Sequence, residues 1–291
     1  MIKSIKYFIQ FIIVIFLFII FFLIGRKLAS NLSSYIFKTF GKFFRSSEII
    51  RGNLKICFPE NSDIQNDEII NKMWDNYGRT LAEYINLRFF QNNNDHIKIL
   101  NLDKLEKLKS SRDPVLFFSG HFGNFELMAM ELEKQNLQIS AIYRKLNNFF
   151  LNPIMEFFRT SYICKDQIAK PLPGEDKGGT RELLSRVKDR RNIALMVDQK
   201  LTEGIIAKLF NKDCYTTRIP AQFAKKYNYK LVPISLKRVD KYFFEMNILD
   251  EIDFSKEDSE LQITNRINNV IEKMIKENPG QWIWTHKRWK I

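Results

Sequence analysis

The sequence predicts an α/β protein, a largely parallel central sheet flanked by helices, with one N-terminal membrane helix ahead of it. Three observations carry that prediction. From about residue 115 onward, short apolar runs alternate with segments of helical period. The runs are apolar throughout, as strands covered on both faces are. Before them, "YFIQFIIVIFLFIIFFLIG" (Tyr7 to Gly25) carries no charge and only Gln10 as a strongly polar interruption. As a helix it reaches roughly 28 Å, close to the hydrocarbon thickness of a bilayer.

The elements follow in order. Residues 1–26 are expected to form a membrane anchor and residues 27–291 one membrane-associated domain, since no Pro/Gly/Ser linker or repeat divides the latter. A cleaved signal peptide is the weaker alternative, because its apolar core would run only about 7–15 residues before a small-x-small site. Lys3 and Lys6 precede the span, whereas Arg26, Lys27, Lys38, Lys42 and Arg45 follow it. That excess favours a cytoplasmic domain. Residues 27–60 are basic and aromatic, and read either as a helix on an anionic bilayer surface or as an amphipathic helix packed on the domain. A helix over Asn66–Phe90 starts at Asn66 or Asp67. Strands are expected at "VLFFS", "ISAIY", "YICK", "NIALMV", "LVPISL" and "FFEMNIL". Helices are expected from about Phe125, at Phe149–Thr160, Gly179–Lys188, "PAQFAKKY" and Asp258–Glu277.

A net charge of +13 over 291 residues points to an acidic partner: nucleic acid, an anionic membrane or an acidic protein. No helix-turn-helix, RNP-like or zinc motif supports nucleic acid, so none is expected. Cys57, Cys164 and Cys214 are odd in number and widely spaced, which suits a reducing compartment better than a disulfide framework.

Ligands of such sheets bind outside the carboxyl ends of the strands. There the sequence places His121 after "VLFFSG", Arg144 after "ISAIY", and Asp198 then Gln199 after "NIALMV". His121 and Glu126 would point about 140° apart on one helix. They converge only if His121 lies on the turn before a helix that Glu126 opens. Gly120 and Gly123 permit that turn, and Asn124 is the expected N-cap. The plainer readings are a first-turn carboxylate at Glu126 and a satisfied turn histidine at His121. No G-x-S-x-G elbow, H-E-x-x-H, P-loop or G-x-G-x-x-G is present, so neither a serine nucleophile, a metal nor a nucleotide cofactor is expected. A histidine base with carboxylate support remains. It suffices where the electrophile is already activated, as in a thioester.

"SGHFGNFE" resembles the H-x-x-x-x-[DE] motif of the glycerolipid acyltransferase superfamily. Further segments, in order along nearly the whole chain, resemble one branch, the late (lauroyl/myristoyl) acyltransferases of lipid A biosynthesis. They are "RGNLKICFPE", "YRKLNNFFLNPIMEFFR", "NIALMVDQK" and "NPGQWIWTHKRWK". Phe125 departs from a frequent tryptophan, and "KLFNKDCYTT" lacks a common glycine. The resemblance implies acyl transfer from an acyl carrier protein to an anionic, Kdo-bearing lipid A precursor at the bacterial inner membrane, without a cofactor. It implies His121 as general base and Glu126 as its orienting group or a contact to the acceptor sugar. Asp198 reads as a second orienting carboxylate. Arg144 and Arg159 are expected to hold phosphate or support the thioester oxyanion, with Asn124 and Gln199 beside them at the substrate. Competing readings are a superfamily enzyme with another glycolipid or lysophospholipid acceptor, and a non-catalytic membrane-tethered binder. "WIWTHKRWK" reads as a membrane-interface belt or as a packing strand near the site with a basic edge.

Overall fold

The computed structural model describes residues 2–170 and 178–290. Its helices are α1 (Ile2–Ile24), α2 (Arg26–Phe44), α3 (Ser47–Cys57), α4 (Asp63–Glu83), α5 (Leu87–Asn92), α6 (Leu102–Ser111), α7 (Glu126–Lys134), α8 (Asn152–Phe158), α9 (Gly178–Lys188), α10 (Ile219–Tyr227) and α11 (Glu260–Glu277). Its strands are β1 (Ile97–Leu100), β2 (Val115–Ser119), β3 (Ile139–Arg144), β4 (Asp166–Lys170), β5 (Asn192–Met196), β6 (Ile205–Leu209), β7 (Lys212–Thr216), β8 (Lys230–Asp240) and β9 (Phe243–Ile248).

Seven strands form the central sheet in the order β1-β9-β8-β2-β5-β3-β4. The run from β8 to β4 is parallel, and β9 turns back antiparallel along β8 with β1 parallel to it. All five residues of β2 are buried, because alternate side chains enter cores on opposite faces. Leu116 and Phe118 join Ile193, Leu195, Ile271 and Trp282 on one face. Phe117 joins Leu127, Met128, Phe18 and Phe21 on the other. Each fully buried apolar side chain of this kind contributes about 1.5–3 kcal/mol.

Several boundaries differ from the sequence expectation. The helix expected at Asn66–Phe90 starts at Asp63, because Ser62 and Gln65 form a reciprocal capping box, and it breaks into a 3-10 turn at Tyr84–Asn86. "YICK" is not a strand: Arg159–Ile163 is a π-helical turn extending α8, and the strand comes after it as β4. Its apolar members Ile163 and Cys164 point into the core from the turn. The tryptophan-rich end is neither a strand nor a membrane belt. Trp282, Trp284 and Arg288 are fully buried, and Arg288 donates to Tyr215 O and Thr216 Oγ1 instead of facing headgroups.

α2 packs on α4 through its small residues. The carbonyl of Ser33 lies against Gly78, where a Cβ would collide with it, and Arg79 bonds to Ser30, Asn31 and Asp75. Its large apolar residues Leu28, Tyr35, Phe40 and Phe43 point outward. α1 is long and apolar enough to cross a membrane, with a mean hydropathy of 3.1. It is not detached from the domain, because Phe18 and Phe21 are buried in the second core and Asn148 Nδ2 donates to Tyr7 O. Phe21→Ala is therefore expected to cost the detergent-solubilised chain about 3–5 kcal/mol in thermal or denaturant unfolding. Phe22→Ala, at a position 74% exposed on the same helix, is expected to change stability by less than about 0.5 kcal/mol.

Candidate functional site

β2 and β5 are hydrogen-bonded neighbours, so the residues that follow them meet on one rim. After β2 the chain turns through Gly120–Phe125 into α7. Gly123 sits in the left-handed region (φ 54°), and its carbonyl accepts from Asn76 Nδ2 and Thr80 Oγ1. A Cβ on Gly120 would lie 3.2 Å from Asp198 Cγ, so its absence lets the two strand ends close on each other.

His121 therefore stands on the turn and Glu126 opens the helix, yet the two do not pair. His121 Nδ1 lies 2.7 Å from Asp198 Oδ1, and the His121 backbone N–H donates to Asp198 Oδ2 at 2.8 Å. Trp282 Nε1 donates to the same Oδ2 at 2.7 Å. Asp198 is 1% exposed. Burial opposes its charge, but the attraction and hydrogen bonds of His121 outweigh burial and hold the carboxyl far below its ordinary value. An ionised carboxylate only accepts, so whenever the His121 ring is neutral its Nδ1 carries the proton and Nε2 keeps its lone pair. Gln199 Nε2 lies 3.4 Å from that Nε2, and Phe125 packs edge-on against the ring.

Glu126 belongs to a second cluster. Its Oε1 accepts from Tyr84 Oη (2.5 Å), Arg159 Nε (3.0 Å) and Arg159 Nη2 (2.6 Å). Glu126 and Arg159 are each 9% exposed. Burial alone would weaken the Arg159 charge, but Glu126 and Tyr84 reverse that and raise its pKa. Burial and the Glu126 charge likewise raise the Tyr84 phenol. Arg159 is thus committed to Glu126 and lies over the Tyr143 ring.

Asn124 is not an N-cap, since α7 starts after Phe125 without a side-chain cap. Its Nδ2 donates instead to Glu83, which Arg238 grips through both carboxylate oxygens. Asn124 Oδ1 and Ser119 Oγ, both buried beside the His121 turn, have no hydrogen-bond partner among the described residues. Arg144 stands exposed at the end of β3, in register with Lys170 on β4. Burial and the Arg144 charge pull Lys170 down to about 8. Sequence reasoning missed Tyr84, for which no local signal exists, and the role of Trp282, whose segment was conspicuous only by composition.

The fold and the rim define a class of protein: a largely parallel α/β sheet with a histidine–carboxylate pair at its carboxyl edge, preceded by an apolar helix long enough to cross a membrane. Comparison with known proteins gives the class its reaction. The family model for bacterial lipid A biosynthesis acyltransferases matches residues 2–291, and the chain belongs to that family. It is 22% identical to a lipid A biosynthesis acyltransferase of Haemophilus influenzae, over 84% of this chain and 78% of the relative. It is 23% identical to the lipid A biosynthesis palmitoleoyltransferase of Escherichia coli (84% and 79% covered). For the lauroyltransferase of the same organism the identity is 21%, over 84% and 79%.

Proposed function

We propose that the chain transfers a fatty acyl group directly from acyl-acyl carrier protein to a hydroxyl of a Kdo-bearing lipid A precursor. The observation that supports this reading is the Asp198–His121 contact, which in a neutral ring directs the proton to Nδ1 and leaves Nε2 free to accept. Nε2 takes the hydroxyl proton as that oxygen attacks the thioester carbonyl. The tetrahedral centre collapses, the C–S bond breaks, and the imidazolium returns its proton to the departing carrier thiolate. No covalent enzyme intermediate is needed. Glu126, held by Arg159 and Tyr84, contacts the acceptor sugar, while Arg144 with Lys170 beside it faces an anionic group of the acceptor. Asn124 and Gln199 supply further polar contacts. The excess of basic residues after α1 supports an inner-membrane location with the domain towards the cytoplasm, and the charge of +13 suits both an acidic carrier and a phosphorylated lipid.

The test is mass spectrometric. Purified chain, incubated with acyl-acyl carrier proteins of several chain lengths and a tetra-acylated Kdo-bearing precursor, is expected to add one acyl group. His121→Ala is expected to slow this by about 10²–10⁴-fold. Addition to a lysophospholipid alone would redirect the acceptor assignment, and near-full activity in His121→Ala would overturn the base assignment.

A further inference from the structure

We propose that Trp282 is a positioning residue for the His121–Asp198 pair, and that Asn53 of α3 holds the segment carrying it. Asp198 accepts three N–H donors, but two of them belong to His121. Those two bind the carboxylate to the residue it must orient, and by themselves would let both drift together. Trp282 is the donor that comes from elsewhere in the chain, 84 residues away, and it fixes Oδ2 against a side chain of zero exposure.

The segment around Trp282 has neither helix nor strand to stiffen it beyond the 3-10 turn at Pro279–Gln281, yet side chains pin it along its length. Gln281 pairs with the backbone of Arg238 on β8, its Oε1 accepting from the Arg238 N–H and its Nε2 donating to the carbonyl, both at 2.7 Å. Asn53 Nδ2, 6% exposed, donates to the carbonyls of Trp284 and His286 at 2.8 Å each. Arg288 ties the far end to β7. The Trp282 ring stands perpendicular to Trp284 at 4.6 Å, and His286 Nε2 lies 3.3 Å from the Asp198 carbonyl. So the ring cannot tilt away from Oδ2 without moving buried tryptophan and two satisfied carbonyls. The early "RGNL" and the tryptophan-rich end, remote in sequence, become one brace behind the base.

Trp284 supplies the comparison. It is equally buried, and its Nε1 donates to Pro279 O at 2.7 Å within its own segment. An indole needed only for packing would look like Trp284. Trp282 instead spends its one donor on the carboxylate that orients His121. His286, Arg288 and Tyr77 also lie within electrostatic reach of Asp198; burial pulls the His286 imidazole down to about 4 and pushes the Tyr77 phenol up to about 12, so Arg288 is the charge among these three, and removal of the Trp282 donor leaves it in place.

This inference rests on His121 acting as the base, and the test separates the two. Full-length Trp282→Phe, Trp284→Phe and His121→Ala are compared for kcat, KM, pH profile and melting temperature. Loss of one charge-assisted hydrogen bond is expected to lower kcat of Trp282→Phe about tenfold with KM changed less than about twofold. A carboxylate with one donor fewer holds the imidazolium proton more tightly, so the acidic limb of its kcat profile moves to higher pH. Trp284→Phe is expected to lower the melting temperature comparably while leaving kcat and that limb in place. Incorporation of 3-benzothienylalanine at position 282, which keeps the ring size and removes only the N–H, is expected to reproduce the kinetic change in a folded protein. Wild-type kcat and pH limb in that variant, or identical kinetics for Trp282→Phe and Trp284→Phe with His121→Ala inactive, would overturn the positioning role alone. An active His121→Ala would overturn the base assignment and this inference with it.

Discussion

Asp198→Asn is expected to lower kcat by about 10²–10⁴-fold while the chain stays folded, as measured by acyl transfer alongside a thermal melt. The reason lies in donor and acceptor counting. Asp198 receives N–H groups on both oxygens, two from His121 and one from Trp282. An asparagine offers one accepting oxygen and an NH₂ that can only donate. If the NH₂ faces His121 Nδ1, the ring must put its proton on Nε2, and the lone pair needed at the hydroxyl is gone. If it faces the backbone N–H and Trp282, two donors are left opposed to a third in a buried place. The first orientation removes the lone pair at Nε2 and the second destabilises the carboxylate's place behind His121, and neither changes side-chain volume. The pH dependence of stability follows from the same group. Its folded value lies below the ordinary 3.8, so the stabilisation is complete above about pH 4 and is lost as pH falls beneath that. Asp198→Asn is expected to flatten the wild-type rise of stability with pH in this acidic window. An unchanged rate, or an unchanged acid slope, would remove Asp198 from the role given to it.

Why was this pair legible from sequence when the second cluster was not? His121 and Asp198 each follow an uninterrupted apolar run, and such runs become neighbouring parallel strands in β2 and β5. Strand-end position then stands in for contact. Glu126, Arg159 and Tyr84 meet through side chains of separate helical segments, with Tyr84 and Glu126 42 residues apart. No period links them, so the five-residue spacing from His121 suggested a pairing that Asp198 makes instead. The β6–β7 hairpin escaped notice for a local reason. Its turn places Phe210 and Asn211 at positive φ (51° and 55°), a conformation usually marked by glycine. β1 escaped because "IKIL" is short and only half-buried. At the N-terminus composition identified an apolar helix correctly, but could not foresee that Phe18 and Phe21 would enter the core of the domain behind it.

Glu126→Ala carries a large expected loss of stability, about 3–5 kcal/mol, because it leaves the Arg159 guanidinium buried without its counter-charge. Tyr84 loses its acceptor in the same step. A fall this large would by itself abolish activity, so the single variant cannot say whether the carboxylate also meets substrate. The double variant Glu126→Leu with Arg159→Met separates the two effects. Replacing a buried ion pair by apolar residues of similar size is often neutral for stability. Most of the unfolding free energy is therefore expected to return, read by denaturant titration against wild type. Under the proposed contact of Glu126 with the acceptor sugar, acyl transfer is not expected to return, because leucine offers no carboxylate. Recovery of both stability and transfer would make the pair a purely structural strut. Failure to recover stability would mean that the cluster depends on Tyr84 and its phenol more than on the charges. Loss of transfer in a stable double variant puts the Glu126–Arg159 pair at the substrate, with Glu126 at the end of the turn that carries His121 but held from the opposite side.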